Sequence, residues 1–482
     1  CQSLVLANRI WFQNVWACNS SSAWLVHATF QRNLLNLEQN YDLGIEDLPS
    51  QQSASDGGGN FDRVLKLPQI TASGVAIIIG AGIYVLLAPA TKDAGAQVWL
   101  SFLFASALSV LTAFSYMELS SMFPKAGSEQ EFARHAFPSW VSATVGWSMA
   151  LALVVAASTV ALGFSRYLAE FLEVDFRLSA IVITLLMCFV SFLGMQRAIW
   201  LVLTLGAIEV GGLVLVFVVG APSIGDVDLF AGFDFGGVFA SASLVFFAFI
   251  GFDEVITLSE ETKNPRRTVP LALFLSLAIS TLLYVGVAIV AVSVLGVDGL
   301  VSSTRPLADV MSLTVGDSSA KLMAAIALIS TSSTVLLALT SASRMIYGTA
   351  SSGSLPKIFA TVYQRRTPLP ALLASTAVAI ALILFEDISL LAGATDVLIY
   401  VLFIIVNLVL IILRKRMPDH PRQFVVRGSI RGVPVLPVLG IIATLSMGFN
   451  VERDASLLAI FIVAVGIAIA LLGSRKSVTL QS

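Results

Sequence analysis

Charge is what this sequence has least of. Asp, Glu, Lys and Arg make up 12% of its 482 residues, against about 25% in an ordinary soluble domain. Hydrophobic residues reach 57% and the mean hydropathy is +0.89. So little charge cannot cover a water-facing surface, which excludes a soluble globular protein and leaves a polytopic membrane protein. Cysteine is nearly as scarce: Cys1, Cys18 and Cys188 provide neither a disulfide framework nor a C-x-x-C metal spacing. Cys188 lies in an apolar run and reads as a small hydrophobe. The three histidines, His27, His135 and His420, are far apart and carry no zinc signature. No nucleotide-binding loop GxxxxGK[ST] occurs, and no catalytic motif. An enzyme, a bound metal, a cofactor and a nucleic-acid partner are therefore not expected.

Long apolar runs are what the sequence has most of. Crossing a hydrocarbon core takes about 20 helical residues, and only helices of that length satisfy their backbone without water. Twelve runs qualify or nearly so, near 69–91, 97–122, 139–169, 178–195, 199–221, 236–259, 268–296, 319–349, 370–387, 390–413, 433–450 and 454–473. Residues 1–60 hold no such run and no signal-peptide pattern. Within them QQSASDGGGN (51–60) has the composition of a flexible linker, and the whole stretch is expected to be disordered or dispensable.

Placing the N-terminus in the cytoplasm puts most cations inside, among them Lys125, Arg134, Arg197, Lys263, Arg266 and Arg267. Arg365, Arg366, Arg414, Lys415 and Arg416 join them. The other side keeps few cations and carries Asp226, Asp228, Asp234, Asp298, Asp309, Glu386 and Asp387. The positive-inside rule then sets both termini in the cytoplasm of a cell or plasma membrane.

The first run is weakened at its centre. IIIGAGIYVL (77–86) places Gly80, Ala81 and Gly82 where a helix would cross the midplane. Five runs later FFAFIGFDEV (246–255) is interrupted at Gly251, with Asp253 and Glu254 following. Small residues at such points either let helices pack closely or let the backbone unwind. Two breaks at matching places in two halves point to an inverted-repeat transporter with its site at the midplane. There the amides opening one half-helix would bind an anion, and the carbonyls closing another a cation. An amino acid carries that pair of charges on one carbon.

At these residues the chain resembles permeases of the amino acid–polyamine–organocation superfamily. GAGIY with LLAPATKDAG resembles their first membrane segment, and YMELSSMFPKAGSEQEFAR (116–134) their second with the loop after it. FFAFIGFDEVITLSEETKNPRRTVP (246–270) is the most specific match, and SASRMIYGTASSGSLPK (341–357) is similar to the end of their eighth segment. The resemblance covers about 62–473, closest to prokaryotic and archaeal permeases and the cationic amino acid transporters. It implies an all-α fold of about 12 transmembrane helices. Two inverted repeats of five, at about 69–221 and 236–413, would have broken helices 1 and 6. Helices 11 and 12 would follow at about 433–473, completing a transporter domain of 61–475 before a short cytoplasmic tail, 476–482.

Carried over residue by residue, the resemblance implies that the amides of Ala81, Gly82 and Ile83 meet the substrate carboxylate, beside Gly80. Ala81 stands where many relatives have Ser or Thr. The carbonyls of Ile78, Phe247 and Ile250 would meet the ammonium, with Phe249 and Gly251 in the same segment and Phe247 at an aromatic gate position. Ser332 and Ser333 of STSST (330–334) fall where sodium-coupled relatives use hydroxyls, or simply bond to the preceding turn.

Intramembrane carboxyls are functional by default. Asp253 and Glu254 lie just past the break, where water is expected to reach, and are read as gating or structural. Glu260 and Glu261 are expected to pair with Lys263, Arg266 or Arg267, and Glu118 is expected to be paired. Glu209 is about ten residues from each end of its run, roughly 15 Å deep. It is expected either to exchange the coupling proton or to stay protonated in a structural hydrogen bond.

The expected function is a secondary active amino acid permease coupled to H+, or to Na+, or working as an exchanger. A polyamine or other amine carrier of the same fold and a non-transporting amino acid sensor stay open. The lipid bilayer and a small amino acid are the expected partners; the sequence sets neither oligomeric state nor cargo. The topology has a direct test. In a background free of Cys1, Cys18 and Cys188, cysteines at Asn60 and Ser477 should resist membrane-impermeant thiol reagents in intact cells. Labelling of either overturns the orientation.

Overall fold

Proline, glycine and aspartate mark where the apolar runs start and stop. In a computed structural model that describes residues 65–123, 129–193, 199–353, 355–363, 367–430 and 432–479, Pro68, Pro265, Pro306 and Pro370 each stand in the first helical turn. The missing N–H costs nothing at that position. Asp234 caps its helix by accepting from the Gly236 and Gly237 amides at 3.0 Å each, and Asp387 caps another through Leu390 N at 3.0 Å. The N-terminal 60 residues and the cations Lys125, Arg197, Arg365 and Arg366 lie outside the described residues. The helices below belong to one unit, which spans 61–426 and 431–482.

The helices run in order as α1 Leu67–Ile79, α2 Gly82–Ala94, α3 Val98–Met122, α4 Glu129–Ala136, α5 Ser139–Leu168, α6 Phe176–Leu193 and α7 Ile199–Gly220. Then come α8 Phe235–Val245, α9 Pro265–Ser302, α10 Pro306–Thr314, α11 Asp317–Ser351, α12 Leu369–Ile383, α13 Ile388–Arg416, α14 Val435–Gly448 and α15 Arg453–Thr479. Among the described residues nine helical stretches are long and apolar enough to cross a membrane, and three shorter apolar helices, α1, α12 and α14, accompany them. The protein is a polytopic, helical membrane protein. Two elements were not anticipated as helices. The short amphipathic α4 lies in the loop after α3, and α10 follows α9, which turns at Gly296 (φ 67°). The last helix reaches Thr479, into the segment read as a tail.

Alternation of exposure separates lipid-facing from packed helices. α5 is buried along nearly its whole length and sits at the centre, against α11, α13 and α6. By contrast α6 exposes Leu178, Val182, Leu185, Leu186 and Phe189. Small residues set the closest approaches: a Cβ on Gly206 of α7 would collide with Ala76 of α1, and one on Gly163 of α5 with Val85 of α2.

Polar contacts tie the bundle at its two ends. At one end Glu118, fully buried, accepts from Arg414 Nε at 2.9 Å and Nη2 at 2.5 Å, lies 3.3 Å from Arg422 Nε, and accepts from Val426 N at 2.8 Å. The loop after α13 is thereby pinned to α3. Lys263 N donates to Leu65 O at the same end. At the opposite end Arg305 pairs with Glu170, and Arg177 with Glu386. Gln97 donates to the carbonyls of Leu229 and Ala231. Removing Glu118 takes the only carboxylate from two largely buried arginines, which keep backbone carbonyls among the described residues, and breaking a buried pair from one side costs about 3–5 kcal/mol. Glu118→Ala is expected to lower the detergent-solubilised melting temperature by several degrees, whereas Arg134→Ala, which removes an exposed pair with Glu131, should leave it within about a degree.

Candidate functional site

The first helix stops at Ile79 because Gly80 adopts φ 24°, outside the range of ordinary L residues. Ala81 then caps α2, whose first internal bond runs from Val85 N to Ala81 O at 3.1 Å. The N–H groups of Gly82, Ile83 and Tyr84 precede that bond and have no carbonyl within their own helix. They carry the positive end of the α2 dipole.

A second break faces the first. α8 ends at Val245, a 3₁₀ turn follows over Phe246–Phe249, Ile250 is extended (ψ 138°), and Gly251 takes φ 109° before a second 3₁₀ segment, Phe252–Glu261. The breaks interlock. A Cβ on Gly82 would lie 2.5 Å from Ala248 Cα, and one on Gly251 2.9 Å from Ile77 Cγ2. Gly82 is thus required for contact between the two breaks, and the unwinding is centred on Gly80. The small-residue packing and the unwinding weighed for the GAG stretch both occur, at adjacent residues.

One side chain ties both breaks together. The Tyr284 hydroxyl on α9 lies 2.7 Å from Ile78 O, 2.9 Å from Ile79 O and 2.9 Å from Ala248 O. Ile78 O is therefore already served by a hydroxyl, and Phe247 O accepts from Ile250 N at 3.2 Å. Of the carbonyls expected to meet an ammonium, these two would exchange existing bonds for new ones.

A cavity of about 70 Å³ lies between the breaks. Ile78, Gly80, Ala81 and Gly82 line it from the first, and Phe247, Ile250, Gly251 and Glu254 from the second. Opposite them stand Leu153 and Ala156 of α5 and Ser333, Thr334, Leu337 and Ala338 of α11. Ile83 and Phe249 are fully buried behind this layer, the Phe249 ring edge-on to Tyr284 at 5.3 Å. Ser332 turns away and donates to Leu328 O at 2.6 Å.

Two residues singled out separately meet here. Ser333 Oγ is 3.0 Å from Glu209 Oε1, so the carboxyl of α7 touches the cavity wall through one hydroxyl. Glu209 is 2% exposed, and its backbone carbonyl lies 3.4 Å from the Tyr84 hydroxyl of α2. A Cβ on Gly80 would in turn sit 3.0 Å from Thr334 Oγ1. Break, hydroxyls and carboxyl form one continuous patch.

Asp253 departs from expectation. It is buried (7% exposed), off the cavity, and accepts from Gly251 N at 3.3 Å. Its carboxyl shares a hydrogen bond with Glu129 of α4, which accepts from Tyr116 Oη at 3.1 Å. Burial first, and then the charge of Asp253, push the Glu129 carboxyl up to about 8. The α4 helix packs this acid against the 3₁₀ segment, so water does not surround Asp253. Glu254 is the carboxyl that reaches the cavity. The side chains of Glu260, Glu261 and Arg266 lie outside the described residues.

Sequence reading missed Tyr284, Tyr84, Glu129 and Asp396. The first two are single hydroxyls inside apolar runs, and only their partners reveal them. Glu129 sits in a loop that did not read as structured. Asp396, in AGATDVLIY, carried a plain signal as an intramembrane acid.

Two interrupted helices face each other across one cavity, and sequence comparison gives the class. A family model described as amino acid permease matches residues 65–453. The chain belongs to that family, and it is a transporter and not an enzyme. It is 27% identical over 448 residues to the branched-chain amino acid permease BcaP of Bacillus subtilis, covering 88% of this chain and 96% of that protein. A methylthioribose transporter of the same organism is 27% identical over 447 residues, with the same coverage. The vacuolar cationic amino acid transporter 2 of Arabidopsis thaliana is 30% identical over 395 residues, covering 75% of this chain and 61% of that protein.

The interlock predicts a sharp contrast between two glycines. Gly82→Ala should force the breaks apart, cost about 1–3 kcal/mol as overpacking does, and abolish amino acid exchange in proteoliposomes. Gly211→Ala, where a Cβ meets nothing within 4 Å, should retain stability and exchange. Equal behaviour of the two variants would sink the interlock.

Proposed function

We propose that this permease is a proton-coupled carrier of neutral, aliphatic amino acids, built from two inverted five-helix repeats with α14 and α15 added. The nine long stretches and three short apolar helices give twelve crossings when α1 joins α2 as one broken helix, α3 counts as a crossing of its own, and α8 with its 3₁₀ segments counts as the second broken helix. Both termini face the cytoplasm of a cell membrane on this reading. The end held by Glu118 and Arg414 is inner, and the end held by Arg177 and Glu386 is outer.

The observation that carries the proposal is the facing of the two breaks across one cavity. The free N–H groups opening α2 suit a carboxylate, and the carbonyls of the Phe246–Ile250 turn suit an ammonium. Leu153, Ala156, Leu337 and Ala338 offer the cargo side chain an apolar wall, which fits the kind of substrate named for the Bacillus subtilis branched-chain permease. A polyamine carrier or other amine carrier would leave the α2 amides without a use.

Glu209 is the coupling group on this reading. It is buried, touches the cavity through Ser333 and lies beside α2, so opening on either side would change its access to water. Replacement by glutamine keeps size and hydrogen bonding but removes the ionisable proton. Glu209→Gln in proteoliposomes should exchange labelled neutral amino acids at the parental rate yet lose accumulation driven by a pH gradient. Accumulation equal to the parent's under that gradient removes Glu209 from the coupling path. A sodium gradient that drives uptake at equal pH replaces the proton with Na+.

A further inference from the structure

Asp396 is the buried acid that the transport scheme above does not use. It lies on α13 and is fully buried, and neither carboxyl oxygen has a partner in full hydrogen-bonding geometry among the described residues. The polar group that faces it is the backbone N–H of Phe247, in the 3₁₀ turn of the second break. A bare carboxylate in that position would stand without a cation and with a single donor, which is a costly arrangement in a low-dielectric core.

Its surroundings place it between two spaces. On the outer side is a vestibule of about 360 Å³ whose lining includes Ser243 and Leu244 from α8 and Gly393 from α13. Gly393 is three residues before Asp396, about 4.5 Å along the helix axis. Phe247 is four residues after Ser243 and lines the inner cavity. The two elements that floor the vestibule therefore meet at Asp396 and Phe247, just above the cavity. Tyr400, four residues further along α13, holds the α8 end of this floor by donating to Ser243 O at 3.0 Å.

The charged neighbourhood is sparse. Tyr400 is the titratable group on which the charge of Asp396 acts. α8, the Phe246–Phe249 turn and α14 carry no titratable side chain. α5 carries Arg166 and Tyr167 at its outer end, and α15 has Arg453 and Asp454 at its outer start. α3 and α4 carry Tyr116, Glu118, Glu129, Glu131, Arg134 and His135 toward the inner end. None of these groups is hydrogen-bonded to the Asp396 carboxyl among the described residues.

We propose that Asp396 is a second proton-binding site, loaded from the outer vestibule, that controls the turn at Phe247. With the proton bound, the neutral acid lets the turn seat and closes the path to the cavity. When the turn lifts, vestibule water solvates the carboxylate and the proton leaves outward. External acidity thus favours closure over the cargo. A cationic cargo side chain is the other cation that suits an acid, but Phe247 stands between Asp396 and the cavity. Only a proton fits without displacing the gate. The inference rests on the permease reading and on the orientation proposed with it.

The test reads the gate directly, without relying on transport. In the background free of native cysteines, Ala156→Cys places a thiol in the cavity wall. Its labelling from outside by an impermeant maleimide is normalised to Ser389→Cys, a vestibule thiol, to remove the intrinsic pH dependence of the reaction. Between external pH of about 5 and about 8, normalised labelling should rise several-fold in the otherwise unmodified protein and stay flat in Asp396→Asn. Labelled amino acid exchange at equal pH should persist in Asp396→Asn, which separates failure of this site from failure of the permease reading. A flat response in the unmodified protein overturns the proposal, and so does a pH response retained by Asp396→Asn. Retained response with a selective loss of cationic cargo would assign Asp396 to cargo recognition instead. Should Asp396→Asn fail to fold, Asp396→Glu must respond with a displaced midpoint, and an unchanged midpoint overturns the proposal.

Discussion

Everything in the centre of this molecule depends on how backbone groups are satisfied where two helices stop inside a membrane. Unpaired N–H and C=O groups in hydrocarbon are costly, and each break exposes several. The Tyr284 hydroxyl reaches three of the freed carbonyls, from Ile78, Ile79 and Ala248. It has one proton, so it can serve one of them fully at any instant. The breaks are thus held but not saturated. That residual polarity stays at the cavity wall, and the shared hydroxyl explains how an apolar bundle tolerates two interruptions.

The same economy governs the side chains. Most buried hydroxyls spend their proton on the carbonyl four residues back, as Thr331 does on Ala327 and Thr340 on Leu336. Others cross between helices. Some do so away from the breaks, as Ser115 to Asn407 and Ser101 to Val238 O, and others at them: Ser333 to Glu209, Tyr284 to both breaks, Tyr167 to Tyr84. Acids divide in the same way. Glu118 is locked by two arginines at one end and is structural. Among the described residues Glu209, Asp253 and Asp396 have no such cation, Asp253 facing the acid Glu129 instead, and each adjoins a break or its wall. Neutral partners leave a carboxyl free to change protonation, whereas a buried guanidinium does not.

Close approach is the second constraint, and it acts through missing side chains. Gly82 against Ala248, Gly251 against Ile77 and Gly206 against Ala76 bring backbones nearer than a methyl group allows. The broken segments can therefore share one cavity wall, and a movement in either is felt by the other. Rearrangement of the breaks is coupled for steric reasons before any ligand is considered.

The sequence by itself determined the membrane class, the approximate apolar runs and the positions of weakness at Gly80 and Gly251. Each of these is a local property: hydropathy summed over a window, or the absence of a Cβ. It also placed Glu209 at mid-depth, since depth follows from counting residues along a helix. Whether Glu209 met Ser333, whether Asp253 faced water or Glu129, and which partner Gly82 required could not be counted along the chain. Those outcomes depend on how helices distant in sequence rotate about their axes and which faces they bring together. Tyr284 lies more than 200 residues from Ile78, and nothing in TLLYVGVAIV marks its hydroxyl as the tie between two breaks. Asp396 could have been flagged as a costly acid. Only the tertiary structure set it behind Phe247 with no cation beside it among the described residues, because the absence of a counter-charge is a property of the packing around a residue and not of the residue.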